Sequence, residues 1–307
     1  MGMTNTLIIG AVTDYQYKDI APWLNSLKMA NYKGDIALIA YNMSRETSER
    51  LTRAGVTYIF AMGKGDDGNI RYPVSPMFNI CVERFAHLWY FLKNAENQFD
   101  YVLTTDVKDV VFQNNPFNWI RDYDNGKNAL LVGSENIRYE DEPWGRNNMQ
   151  IAFGKMMYEE VAKKPIYCAG VIGGTRKTFS DLCLNIFLLC RGCPSTVPGG
   201  GGPDQAALNL LLATTYSWAT KLSVLDGFVC HAGTTIDAIE AGSGEIGEQC
   251  LFDPSKLDGY RRSLIHNGPS LLNGQVSTAF GVPYSIVHQY DRVPLWKEKM
   301  LQRYGEE

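Results

Sequence analysis

Short unbroken apolar runs alternate along the first hundred residues with stretches whose apolar positions recur every three or four residues. Residues 6–12 form a β-branched run that stops at Thr13-Asp14-Tyr15, which predicts a buried strand, a polar turn and a helix through Trp23 and Leu27. Runs at 35–41 and 56–60 enclose helical spacing over 44–53, so the opening third predicts a βαβαβ unit. Residues 63–72 are polar and Gly-rich and read as a loop. Over 76–94, Phe78, Cys81, Val82, Phe85, Leu88, Trp89 and Leu92 recur at helical spacing, predicting a helix packed under the sheet. Further strands are predicted at 101–105, 129–132 and 167–175, and helices from Thr175 to about 189 and over 206–212. The last third is less regular, with Gly-rich stretches around Gly242 and Gly274. Only 283–288 reads there as a strand, before a final helix from Pro294. The pattern predicts an α/β fold, a doubly wound and mostly parallel sheet flanked by helices, with residues 1–307 as a single domain.

Composition narrows the partners. Hydrophobic residues at 45% and charged residues at 20% suit a globular chain, and a net charge of -4 offers no polybasic surface for nucleic acid. No apolar run reaches the length of a membrane span and no cleavable signal precedes Asp14, which predicts a cytoplasmic protein. Seven cysteines, an odd number scattered through apolar contexts, read as reduced core thiols. Cys190-Arg-Gly-Cys193 is the one close pair, and it lacks the second pair a zinc site needs.

The chemistry centres on Tyr101-Val102-Leu103-Thr104-Thr105-Asp106. A buried strand ending in a carboxylate delivers it to the carboxyl edge of the sheet, where open α/β sheets build ligand sites, and Asp109 follows three residues later. Two readings stay open. The pair can hold a hard divalent cation whose shell phosphate oxygens complete, or it can cap a turn between apolar segments. Arg84, on the helix before this strand, reads either as a phosphate clamp or as an ion-paired arginine. Glu135, Asn136, Glu140, Asp141, Glu142 and Trp144 make an acidic, aromatic stretch, which reads first as a solvated loop and second as a sugar-binding one. The glycines of Cys168-Ala169-Gly170-Val171-Ile172-Gly173-Gly174 allow close approach of a ligand or form a bulge. Asp204 and Gln205 follow Pro198 and four glycines and open a helix. They are ordinary cap residues unless the loop closes over a substrate. His288 reads equally as a structural histidine and as a further cation ligand. The first strand is not followed by G-x-G-x-x-G, which argues against a dinucleotide oxidoreductase.

Taken in order, these segments resemble the nucleotide-sugar glycosyltransferases of GT-A type, in the pattern of the galactosyltransferase and glycogenin-like families. The resemblance covers most of residues 6–292. Ala11-Val12-Thr13-Asp14-Tyr15 resembles the first-strand turn that holds the nucleoside. The Arg84 helix with Thr105 and Asp106 resembles the approach to the acidic D-x-D metal motif. Cys168-Ala169-Gly170-Val171 resembles the Asn-Ala-Gly-Val segment beside the donor sugar, and Asp204-Gln205 the Asp-Gln pair near the anomeric carbon. His288 matches by order the histidine that completes the metal site. Here Lys108 takes the second D-x-D position, with Asp109 one residue later. Cys168 stands where the family has Asn, and its His-x-x-Gly-x-x-Lys-Pro-Trp segment is not found, with His266-Asn267-Gly268 only an echo.

The resemblance implies a nucleotide-binding half at about 1–113 and a donor-sugar and acceptor half at about 114–307. It implies a transferase that moves a sugar from a UDP- or GDP-sugar to the hydroxyl of a glycan, glycolipid or glycoprotein, with Mn²⁺ or Mg²⁺ held by Asp106, Asp109 and His288. Gln205 beside the anomeric carbon favours retention, since an amide is a poor base; Glu135 or Asp141 near the acceptor argues for inversion. The rivals are a GT-A-fold binding protein without catalysis, for which Lys108 speaks, and a sugar nucleotidyltransferase, which needs a Gly-rich basic loop that residues 11–20 lack.

Overall fold

The structure is a computed structural model that describes residues 5–73, 79–123, 129–193, 201–234 and 259–306. The chain opens with β1 (Thr6–Val12), α1 (Tyr17–Met29), β2 (Asp35–Ala40), β3 (Asn42–Met43), α2 (Arg45–Arg53), β4 (Tyr58–Ala61), β5 (Ile70–Arg71) and α3 (Ile80–Asn94). It continues through β6 (Tyr101–Thr105), β7 (Val110–Phe112), α4 (Phe117–Tyr123), β8 (Leu130–Arg138), α5 (Pro143–Val161), β9 (Pro165–Thr175), α6 (Arg176–Cys190) and α7 (Asp204–Ala213). The last elements are β10 (Thr220–Leu222), β11 (Val229–His231), α8 (Gly259–His266), β12 (Ser270–Leu272), β13 (Gln275–Ser277), β14 (Ile286–His288), a 3-10 turn at Tyr290–Arg292 and α9 (Pro294–Tyr304).

Seven strands form the central sheet in the order β10-β8-β9-β6-β1-β2-β4, and β9 alone runs antiparallel to its neighbours. Because both faces are covered, β1 and β2 are apolar at every inner position. Leu7 and Ile9 pack with Phe85 of α3, Phe179 of α6 and Leu208 of α7, while Ile8 and Val12 pack with Trp23 and Leu24 of α1 and Leu51 of α2. This is the doubly wound, mostly parallel sheet the apolar pattern predicts. No helix among the described residues is long and apolar enough to cross a membrane.

The helix starts follow local chemistry. Asp19 accepts from the Gln16 backbone N–H at 3.0 Å, Ser44 from Thr47 at 3.1 Å and Asn79 from Cys81 at 2.9 Å, so α1, α2 and α3 each satisfy an otherwise orphaned amide. Gly10 allows the crossing of β1 under the β6 turn, because a Cβ there would collide with the Val107 side chain.

Three predictions are corrected. The supposed solvated acidic loop is not one: Glu135 and Asn136 belong to β8, Glu142 caps α5 through the Trp144 and Gly145 amides, and Glu135, Asp141 and Glu142 are buried. The stretch 63–72 contains β5, which pairs with β3. The final third holds more strands than expected, since β11, β14 and β7 form a second small sheet and β12 pairs with β13. Each of these strands has two or three residues, too few to show a period in sequence. Gly242, Pro198 and Cys250 lie outside the described residues. The six described cysteines are unbridged.

Candidate active site

Asp106 is the first residue past β6, and its backbone N–H donates to the Gly170 carbonyl of β9 at 2.8 Å. That contact fixes the carboxylate against the neighbouring strand. Gly170 must lack a side chain, because a Cβ would stand 2.6 Å from His288 Cε1 and 2.8 Å from Asp106 Oδ2. The glycine is therefore a close-approach residue, one of the two readings its sequence allowed.

Arg84 projects from α3 into the same place. Its Nη1 binds Asp106 Oδ1, and its Nη2 lies 3.2 Å from Asp204 Oδ2 and 3.2 Å from the Ala169 carbonyl. A guanidinium this buried is tolerated because its planar fork meets two carboxylates and a carbonyl at once. Burial alone would raise the Asp106 carboxyl, yet Arg84 and His288 outweigh it and hold the group well below the usual carboxylate range. For Asp204 burial wins over Arg84, and its carboxyl is pushed up to about 6. Pro203, not Asp204, occupies the cap position of α7.

The small sheet delivers the third partner. In β11-β14-β7, His231, His288 and Val110 lie opposite one another across the strands, so His288 stands beside the turn carrying Asp109. His288 Nε2 is 3.4 Å from Asp106 Oδ2 and 3.8 Å from Asp109 Oδ2, and it has no well-formed hydrogen bond. Ligating atoms of Asp106, Asp109 and His288 lie within 4.8 Å of one another. Two carboxylates and a buried imidazole nitrogen in need of a partner fit a cation of the Mn²⁺ or Mg²⁺ class, with the nitrogen favouring Mn²⁺. Lys108 does not take the cation's place among them. Its Nζ lies 3.8 Å from Asp19 Oδ1 and 5.5 Å from the centre of the Tyr15 ring.

Two cavities meet at this cluster. One of about 250 Å³ is lined by Ala11, Thr13, Tyr15 and Asp109, and one of about 580 Å³ by Glu135, Ala169, Gly170, Asp204, Gln205 and His288. Arg84, Asp106 and Cys81 line both, so the cavities are two arms of one cleft. A larger cavity of about 710 Å³ lies beyond Tyr15, against Asp14 and Arg50, but it contains none of the clustered carboxylate and imidazole groups. Chemistry, not size, assigns the site to the cleft.

Most residues picked out from the sequence converge there. Three of the expected nucleotide-binding residues do not reach it. Val12 is packed in the apolar layer, the Thr105 hydroxyl accepts from Trp23 Nε1 at 2.8 Å, and Asp14 faces the larger cavity at a left-handed φ of 59°. His266, at the end of α8, is exposed. Gln205 is fixed by accepting from the Ala169 amide at 3.3 Å. Glu135 hydrogen-bonds Gln205 and the Cys168 thiol, and burial, reinforced by the Glu142 charge, pushes its carboxyl up to about 7. Tyr15 is also raised, to about 12, by burial and then by Asp109 and Asp106. The sequence offered no sign of His231 or Cys81 as neighbours of this cluster. His231 ends a three-residue strand, and only its pairing with β14 reveals its place.

No family model matches the chain, and no curated protein matches it. Solved structures do. The chain is similar to the bifunctional glycosyltransferase WbbM in its apo form, with a TM-score of 0.58 and 11% identity over 98% of this chain and 50% of that one. An active-site mutant of LgtC gives a TM-score of 0.51 and 14% identity over 95% of this chain and 94% of that one. The glycosyltransferase GlyE of Streptococcus pneumoniae TIGR4 gives 0.50 and 15% over 97% and 61%. The chain thus spans about half the length of WbbM and nearly all of LgtC. At such identities the likeness speaks to architecture, and it agrees with the sheet order and flanking helices above: this chain shares the fold of these solved glycosyltransferases.

Proposed function

We propose that this protein, acting as one domain, is a metal-dependent glycosyltransferase that moves a sugar from a nucleoside-diphosphate sugar to an acceptor hydroxyl. One observation carries the reading: Asp106, Asp109 and His288 gather their ligand atoms within 4.8 Å at the junction of two cavities. The smaller arm, beside Ala11, Thr13 and Tyr15, suits the nucleoside. The larger, beside Ala169, Gly170, Asp204 and Gln205, suits the donor sugar, with room for the acceptor; a glycan, glycolipid or glycoprotein hydroxyl is the class expected. UDP- and GDP-sugars are the donors to test first.

Asp106, Asp109 and His288 would hold Mn²⁺ or Mg²⁺, which when bound offsets the negative charge that grows on the leaving diphosphate. The chain's own residues do the rest. Arg84 keeps Asp106 ionised and turns its second oxygen toward Asp109 and His288. Gln205, tethered to the Ala169 amide, presents an uncharged dipole to the sugar and is a poor base, which favours retention. Glu135, protonated below about pH 7, donates rather than accepts near the sugar at lower pH.

A panel of nucleotide sugars screened for thermal stabilisation with and without Mn²⁺ tests the reading, because a ligand that binds only the folded state raises its stability. The expected result is stabilisation by a UDP- or GDP-sugar that requires the metal and disappears in Asp109→Asn. Absence of any metal-dependent shift or transfer across the panel would reject it.

A further inference from the structure

Behind the cleft, two more metal-ligating groups converge on the other nitrogen of His288. His231 Nδ1 lies 2.9 Å from His288 Nδ1, Cys168 Sγ lies 3.7 Å from the same atom, and ligating atoms of all three fall within 4.8 Å of one another. Cys168, His231 and His288 are 4%, 0% and 1% exposed, so all three are held out of water. The three side chains come from β9, β11 and β14, and register alone sets the two imidazoles side by side.

We propose that Cys168, His231 and His288 bind Zn²⁺ or another soft divalent cation at a second site, distinct from the carboxylate site and joined to it through the His288 ring. Thiolate and imidazole donors select zinc-like ions against Mn²⁺ and Mg²⁺. Tetrahedral zinc separates sulfur from nitrogen by about 3.6 Å and nitrogen from nitrogen by about 3.3 Å. The 3.7 Å contact already matches, and the 2.9 Å contact must open by about 0.4 Å, from a hydrogen bond to a shared ion. Charge also balances. The Glu135 carboxyl hydrogen-bonds the Cys168 thiol, so a thiolate and a Glu135 carboxylate as fourth donor neutralise the dication in a buried place. Cys168 and His288 line the larger cavity and give the ion its entrance.

The proton count follows from the ring. Binding releases the Cys168 thiol proton and the Glu135 proton, where present, to solvent. In the zinc form each imidazole is neutral and carries its proton on Nε2, His231 beside the Gly133 backbone and His288 facing Asp106, so a second proton on His288, where present, also leaves to solvent. A His288 protonated on Nε2 cannot ligate the ion at Asp106 and Asp109. This coupling rests on the proposed function, whereas zinc binding does not: zinc at the buried site should weaken Mn²⁺ binding about 10- to 100-fold.

The test uses the full chain after chelation and dialysis, with no donor present. Co²⁺ is titrated as a spectroscopic probe, and bound Zn²⁺ is counted by elemental analysis. The expected result is one tight Zn²⁺ and a thiolate-to-cobalt charge-transfer band, both lost in Cys168→Ser and in His231→Gln and both kept in Asp109→Asn. Wild-type protein that binds no stoichiometric Zn²⁺, or Co²⁺ without a thiolate band, overturns the site whether or not the variants fold. So does zinc lost in Asp109→Asn but kept in Cys168→Ser. Failure of the donor panel with zinc binding intact would reject the transferase reading and leave this site standing.

Discussion

Arg84 Nη2 and Asp204 Oδ2 lie 3.2 Å apart, and through this contact α3 and α7 are locked to one another beneath the cleft while the other arm of the guanidinium holds Asp106. Arg84 is thus an ion-paired arginine in this structure, and any phosphate it meets must compete with two carboxylates. Replacing it by methionine leaves the buried Asp204 and the partly exposed Asp106 without their cation. Arg84→Met is expected to lose about 3–5 kcal/mol of stability, as removing one partner of a buried charge cluster does. Adding Asp204→Asn should recover part of the loss, and a double-mutant cycle in denaturant reads the coupling.

Asp204 itself separates stability from function. Burial raises its carboxyl from 3.8 to about 6, so folding takes up a proton between those pH values and the ionised acid is a burden above them. Asp204→Asn should therefore melt at the same or a higher temperature at pH 8. Its kcat/KM should fall about 10- to 100-fold, because an acceptor for sugar hydroxyls is lost in a desolvated site. A variant at full activity would return Asp204 to a purely structural role.

Glu135 sets a second pH dependence. Its carboxyl rises from 4.5 to about 7, so its contribution to the stability of the ligand-free protein is complete below pH 4.5 and is lost as pH rises through about 7. The span corresponds to ~3 kcal/mol. In Glu135→Gln the decline over this window should shrink by that amount, which urea titrations at pH 4.5, 6 and 8 measure.

Gly170→Ala tests the packing of the cluster without touching a charge. The added methyl would press on His288 Cε1 and Asp106 Oδ2 at 2.6 and 2.8 Å, so the ring and the carboxylate must part. A misplacement on the scale of 1 Å at a reacting centre costs about 100-fold in rate. Mn²⁺ electron paramagnetic resonance, recorded with UDP, should show weakened binding alongside the loss of activity.

Local order decided much of this protein. The strand at Thr6–Val12, the helix through Trp23, the carboxylate at the end of Tyr101–Thr105 and the helix opening at Asp204 all follow from apolar periodicity and breaker residues, because neighbours at i+2 or i+3 and i+4 share a face whatever lies elsewhere. The sequence also singled out Asp106, Asp109, Arg84 and His288, which the structure brings side by side. Burial it could not decide. Glu135, Asp141 and Glu142 read as solvated because their near neighbours are polar, and only the packing of β8, β9 and α5 takes them out of water. The His231–His288 pair is hidden for the same reason. Fifty-seven residues separate the two rings along the chain, and their 2.9 Å contact exists only because β11 and β14 pair in one register, a choice set by long-range hydrogen bonds that no local pattern records.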